Sequence, residues 1–335
     1  MVGVTHPVLQ DGMGGGALGT GRLAAAVTNA GGLGSLSTPG LTGDLADLER
    51  AMRTQFEQAL NLTDGPLAVN CPVGTTAGGE ERPAAKLMID VILDIKKSDP
   101  VAGEQVKVFT SSAGLPSKEL VARIHDAGLI SQQKIGHPRH AEKAVENGVD
   151  VIIASGFEMG GHTLKTPITT TVLVPEVLRR VDVPVLASGG FKDGIGLAGA
   201  LGMGAAGIAM GTRFLASLEN DWHDNYIERI LAADIAESIV MPGVYGPCRY
   251  LDGKAVGELT ELLSNGTMSE EELTNWKAEH AFMAQRDGDV ANGLTAAGMV
   301  GGFIGERLPV AAIVGEIVSE ARKRVQAVAG LLAVS

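Results

Sequence analysis

Residues 184–216 read PVLASGGFKDGIGLAGALGMGAAGIAMGTRFLA. The stretch opens with an apolar run, 184–187, that ends in Ser188-Gly189-Gly190. A small-residue segment of helical length follows at 194–204, and a second apolar run, 207–210, ends in Gly211-Thr212-Arg213. Strand, glycine turn, helix, strand, glycine turn is one βαβ unit, because parallel strands need a crossover of a dozen or more residues. Both glycine turns fall at the C-terminal ends of their strands. Bare backbone there can aim N–H groups at a single phosphate, as the last two loops of a (β/α)8 barrel do. The alternative is a pair of plain parallel-sheet turns in which glycine only supplies positive φ. Glycine at both strand ends, with Thr212 beside the second, favours the phosphate.

Working outward, short apolar runs at 7–13, 32–37, 67–73, 106–112, 129–135 and 150–154 read as further strands. Helical patterns alternate with them at 21–30, 45–59, 83–97, 117–127, 138–147 and 175–181. The 83–97 segment carries an apolar stripe at Leu87, Val91 and Ile95, and Ser117 is placed to cap the next helix. Eight strands alternating with single-faced helices predict an α/β fold, a (β/α)8 TIM barrel. A doubly wound open sheet competes, because Gly14, Gly16 and Gly19 match G-x-G-x-x-G between a strand and a helix. A dinucleotide fold needs a carboxylate about 20 residues on, and the 32–37 strand ends without one. The match therefore reads as a permissive loop. Residues 221–290 break the rhythm and collect Trp222, Tyr226, Tyr245, Tyr250 and Trp276. They predict a helical cap inserted after the eighth strand, with the aromatics as packing residues. The expected division is a barrel at 1–220, the cap at 221–290, and a return to the barrel at 291–335 with a last helix at 308–332.

Composition narrows the function. The chain has 335 residues, a net charge of −12, and no Lys/Arg cluster able to neutralise a nucleic-acid backbone, so no nucleic-acid partner is expected. An anionic small substrate stays compatible, since one pocket can be locally positive. Cys71 and Cys248 are the only cysteines, far apart and without metal-ligand spacing. That pattern fits a reducing compartment, with no disulfide and no metal site. The N-terminus lacks a basic, then apolar, leader, and no run reaches the ~20 apolar residues of a membrane span. A cytoplasmic protein without membrane association is expected.

In a barrel of this kind the chemistry sits at the C-terminal strand ends. Those ends are 10–13, Asn70, 111–114, 132–134, 156–162, Gly189-Gly190 and Gly211-Thr212. The set is polar, neutral and glycine-rich, with no acid/base dyad and no activated nucleophile, so a cofactor is expected to perform the hard step. His162 is the candidate acid/base group, with an ordinary pKa near 6.5 and a Gly-Gly pair before it. His137 and His140 compete, although Gly136-His137-Pro138 reads as the start of a helix.

The run Gly156-Phe157-Glu158-Met159-Gly160-Gly161-His162, the ASGGF and MGTRFLA turns, and the opening LQDGM…LAAAVTNAGGLG resemble the nitronate monooxygenase (2-nitropropane dioxygenase) family. These are FMN-dependent (β/α)8 barrels that also include FMN-dependent enoyl-thioester reductases and NADH:quinone reductases. The similarity covers about 7–216 and resumes near 297–320. It implies FMN with its phosphate on Gly189, Gly190, Gly211 and Thr212. The ring would lie against Met13, Asn70, Gln132, Lys134, Gly160 and Gly161, with His162 on the substrate side. The family usually has proline where this chain has Gly12, and a small residue where it has Met159. Nitronate oxidation with O2 is the expected activity. The alternatives are NAD(P)H-dependent reduction of an activated alkene or quinone, and a barrel that binds a phosphorylated ligand without redox turnover. A small-molecule substrate and a homodimeric assembly complete the expectations.

Overall fold

The computed structural model describes residues 2–13, 20–39, 44–74, 82–242, 246–266 and 268–332. In chain order the strands are β1 (Val8–Gln10), β2 (Gly34–Ser37), β3 (Leu67–Pro72), β4 (Val106–Ser112), β5 (Ile130–Ile135) and β6 (Val151–Ser155). Next come β7 (Gly161–His162), β8 (Val185–Ser188), β9 (Gly207–Met210), β10 (Ser238–Met241) and β11 (Cys248–Leu251). Eight of these form one parallel sheet in the order β1-β9-β8-β6-β5-β4-β3-β2. Its two ends meet. Leu9 bridges Leu33, the Gln10 N–H donates to the Leu33 carbonyl at 2.9 Å, and the Leu33 N–H donates to Val8 at 2.9 Å. The sheet is therefore a closed barrel, which leaves no edge strand in it.

Strand alternation sorts the interior into layers. Leu9, Leu33, Ala68, Val108, Ile153 and Ala209 form one apolar cluster, with Ile130 and Leu186 packed against it. Every barrel strand or its flank contributes one of these residues, so the cluster is an apolar plug. Side chains two residues further along point the same way. These are Asp11, Ser35, Asn70, Thr110, Gln132, Ser155 and Ser188, all buried, with Gly211 just after β9. A polar layer thus sits directly on the plug, at the C-terminal end.

The segment after β9 adds a short hairpin to the helices expected of a helical cap. It contains the helices Asp224–Leu231, Lys254–Asn265 and Glu270–Gln285, and also β10 and β11, which pair antiparallel. β11 then pairs antiparallel with β7, in the loop that leaves β6. These short strands lack the alternation with helices that marks the barrel strands, and the partner that completes this sheet comes from a barrel loop. Trp222 and Tyr226 pack edge to face at 5.0 Å, and the Tyr226 hydroxyl donates to the Ala296 carbonyl at 2.8 Å, so both are packing residues as expected. Tyr245 and the Gly14, Gly16, Gly19 match lie outside the described residues.

One helix starts earlier than its proline signal implies. It spans Thr170–Leu178 with Pro175 inside it, rather than beginning at Pro175. The carboxylate of Glu158 accepts from the Thr170 N–H at 3.0 and 3.1 Å, so the start is set by a residue from another loop. The last helix is Val310–Leu332. Among the described residues no helix is long and apolar enough to cross a membrane.

Candidate active site at the barrel mouth

An ion pair crosses the mouth. The Lys134 ammonium on β5 donates to Asp11 Oδ2 at 2.8 Å, and the Ser188 hydroxyl on β8 donates to the same oxygen at 2.6 Å. β1 and β5 stand four places apart in the closed eight-strand order, so the pair spans opposite walls. Both side chains are largely buried, 15% exposed for Lys134 and 6% for Asp11. Lys134 was expected to meet the cofactor ring, and here one of its three donors is committed to Asp11, which leaves two. Asp11 was only part of the 10–13 strand end. The signal that could have found it is its inward register with Leu9, which places a carboxylate beside a lysine.

Two other inward groups are unsatisfied. Asn70 Oδ1 and Ser155 Oγ are buried and have no hydrogen-bond partner. Buried polar atoms are normally paired, so two orphans in one layer point to a polar ligand. Gln132 Oε1 accepts from the Thr110 hydroxyl at 2.8 Å, which leaves the Gln132 amide donors for such a ligand. Gly12 lets the Asn70 side chain lie close against the backbone. A Cβ at Gly12 would lie 2.4 Å from Asn70 Cγ. Met13 is held at the edge of the mouth. Its N–H donates to Ser37 Oγ at 2.9 Å, and its side chain lies against Gly211.

The two glycine turns and the 156–162 loop form one body. Gly189 and Gly190 have φ of 91° and 86°, a left-handed pair that turns backbone outward after β8. Thr212 Oγ1 accepts from the Gly298 N–H at 2.9 Å and keeps its own hydroxyl hydrogen to donate. Gly160 is pressed flat on the returning chain, since a Cβ there would lie 2.5 Å from Gly298 N and 2.6 Å from Ala297 C. Gly161, at φ 66°, has open space where its Cβ would be. Arg249 on β11 clamps the loop. Its guanidinium donates to Met159 O at 3.0 Å, Phe157 O at 2.7 Å and Ser238 Oγ at 2.8 Å, and it stacks over the Phe157 ring. Burial lowers its pKa, with Glu158 opposing. Because Gly160 meets backbone rather than a flexible side chain, Gly160→Ala is expected to destabilise the protein by about 1–3 kcal/mol. Urea denaturation checks this, and an unchanged midpoint would refute the packing account.

His162 lies on β7, exposed, directly opposite Cys248 on β11. Cys248 is 1% exposed and hydrogen-bonded to His162, and Lys277 Nζ is 3.6 Å from its sulfur. Burial pushes the Cys248 thiol up. His162, Lys277 and a hydrogen bond from Tyr250 outweigh that and bring it to about 7. Sequence reasoning used Cys248 only to exclude a disulfide, because nothing local links it to His162. His137 proves to be a cap, its Nδ1 accepting from the Arg139 N–H at 3.2 Å. His140 is lowered by burial and by His137. Among the described residues no His/Cys/Asp/Glu group could hold a metal ion.

Comparison with known proteins places the chain in a family. The family profile described as nitronate monooxygenase matches residues 1–320. A Rhodococcus jostii protein, (3aS,4S,5R,7aS)-5-hydroxy-7a-methyl-1-oxo-octahydro-1H-indene-4-carboxyl-CoA dehydrogenase, is 40% identical over 77% of this chain and 66% of its own length. The chain thus matches just under two thirds of that relative. A nitronate monooxygenase of Neurospora crassa is 28% identical over 92% of this chain and 88% of its own. The solved structure of FabK from Thermotoga maritima superposes with a TM-score of 0.82 at 32% identity, covering 98% of this chain and 96% of that one. A closed eight-stranded barrel, a pair of glycine turns and a glycine-flanked histidine thus occur together with a profile match over nearly the whole chain, and the chain belongs to the nitronate monooxygenase family of oxidoreductases.

Proposed function

We propose that the chain binds FMN across the barrel mouth and oxidises an alkyl nitronate with O2, giving a carbonyl compound and nitrite. The observation that carries the cofactor is the orphaned pair Asn70 Oδ1 and Ser155 Oγ in the inward polar layer. In this reading Gly189, Gly190, Gly211 and Thr212 hold the phosphate. Met13, Asn70, Gln132, Lys134, Gly160 and Gly161 surround the ring. FMN supplies the electron acceptor that none of these side chains can be. Lys134 lends positive charge to the ring's edge, moderated by Asp11 at 2.8 Å. His162 orients the nitro group, or takes the α-proton when the substrate arrives as a neutral nitroalkane. A nitronate is already an anion and needs no strong base, which suits a histidine in this role.

Replacing Asn70 with leucine is expected to weaken FMN binding roughly tenfold, the loss of about one hydrogen bond. Flavin fluorescence titration reads this, and unchanged affinity would remove Asn70 from the site. A second reading, NAD(P)H-dependent reduction of an activated alkene such as an enoyl thioester, or of a quinone, is favoured by the 40%-identical relative named as a carboxyl-CoA dehydrogenase. Anaerobic mixing separates the two. Rapid flavin bleaching by NADH or NADPH, with no nitrite from nitronate in air, would overturn the first reading and support the second.

A further inference from the structure

We infer that Arg249 is a positioning residue for His162: from β11 it grips the chain on both sides of Gly160 and so fixes where the imidazole stands at the mouth. The inference deepens the proposed function, resting on His162 as the group that meets substrate. Its basis is one residue reaching two places. The Arg249 backbone pairs with Gly161 across the antiparallel β7–β11 ladder. Its guanidinium reaches back along the loop, Nε donating to Met159 O at 3.0 Å and Nη2 to Phe157 O at 2.7 Å. Between the nearer of these carbonyls and His162 stand only two residues, both glycine. Glycine restrains its own backbone less than any other residue. Gly160 rests on Ala297 and Gly298, which blocks one side of it, and Gly161 at φ 66° has no atom within 4 Å of where a Cβ would be. The pair has little to hold it from within, so the hold comes from β11.

Strand alternation aims the side chain. Cys248 and Tyr250 on β11 belong to the apolar cluster of the cap, while Leu251 belongs to a cluster of the barrel. Arg249 shares the parity of Leu251 and so turns toward the barrel loop, where it is 3% exposed. Three of its nitrogens take three different acceptors, because Nη1 donates to Ser238 Oγ on β10 at 2.8 Å. The Phe157 ring faces the guanidinium, its centroid at 4.8 Å. Among the described residues none of its hydrogen-bond partners is a carboxylate. Glu158, between the two gripped carbonyls, commits its own oxygens to the Thr170 N–H and hydroxyl. Burying a cation on neutral acceptors carries a desolvation cost that an apolar side chain would avoid, if the loop needed only packing. What a planar guanidinium adds is direction. Its N–H bonds leave at fixed angles, so they set the two carbonyls in orientation as well as in place. The orientation passes through Gly160 and Gly161 to His162, which the guanidinium itself need not touch.

The test reads the imidazole first and turnover second. In FMN-loaded holoenzyme with histidine Cε1 isotopically labelled for NMR, the line missing from His162→Ala identifies His162 among the seven histidines. In Arg249→Met that line is expected to shift or broaden while the other histidine lines hold. An unmoved His162 line overturns the inference. So does equal broadening of every line, which would mark a general loss of structure. This spectrum needs no substrate, so it decides the inference even where nitronate is not oxidised. For turnover, Arg249→Met should keep its FMN and lose kcat roughly 10–100-fold, the scale of a misplacement outside the chemistry. In a His162→Ala background the same substitution should cost less than about threefold, because the group it positions is already gone. Equal losses in the two backgrounds overturn the inference, as does loss of FMN. Arg249→Lys keeps the charge without the planar fork, and it carries both readings if Arg249→Met fails to fold. Its His162 line should move and its kcat should recover only in part. Full recovery would assign the effect to charge alone and overturn the inference.

Discussion

His162→Ala retains its FMN and loses turnover by roughly 10²–10⁴-fold, the range of a positioned acid/base group. Retention is expected because the residues assigned to the phosphate and ring lie on β3 and β5, just after β1, β8 and β9, and on the glycine backbone of the 156–162 loop, none of which needs the imidazole. That loop is held by Arg249 on the Met159 and Phe157 carbonyls, by the Glu158 carboxylate on Thr170, and by Gly160 on Gly298. Losing the ring therefore leaves the loop in place and isolates the chemical role. His137→Ala is the matched control. It removes one helix cap, costs about 0.5–2 kcal/mol of stability, and should leave kcat near wild type. Steady-state nitrite release with a flavin absorbance count decides between them. Full activity in His162→Ala would withdraw the acid/base assignment.

Asp11→Leu destabilises the folded protein by about 3–5 kcal/mol, because it leaves the Lys134 ammonium uncompensated inside the barrel. The Ser188 hydroxyl loses its acceptor at the same time. Asp11→Asn should lose less, since an amide oxygen still accepts from both donors while the charge attraction is gone. The double variant Asp11→Leu/Lys134→Met should recover most of the loss, because removing both charges also removes their desolvation. Urea or thermal denaturation of wild type, Asp11→Leu, Lys134→Met and the double variant forms a double-mutant cycle. Additive losses would show that the pair does not act as a unit.

Much of the architecture was legible in the chain because it is written in local terms. Gly189, Gly190 and Gly211 mark strand ends whose neighbours in sequence are also their neighbours in space. Strand alternation likewise turns Leu9 and Asp11, or Ala68 and Asn70, into a plug residue and a mouth residue. The start of the helix at Thr170 was not legible, because its cap is Glu158 from a preceding loop and Pro175 gave a misleading local signal. β10 and β11 were missed for a related reason: they lack the alternation with helices that marks the equally short barrel strands, and the pairing of β11 with β7 is long-range.

By itself, then, the sequence determined an eight-stranded parallel barrel with two glycine turns at its mouth and His162 after a Gly-Gly pair. Each of these rests on periodicity or on backbone freedom that neighbouring residues specify. Tertiary structure alone decided what those groups face. Lys134 meets Asp11 across 123 residues of chain, Gly12 makes room for Asn70, and His162 meets a buried thiol. Such contacts depend on closing the barrel and on folding the β10–β11 hairpin back onto β7. The charge state of the site is therefore a property of the fold, while the presence of the site is a property of the sequence.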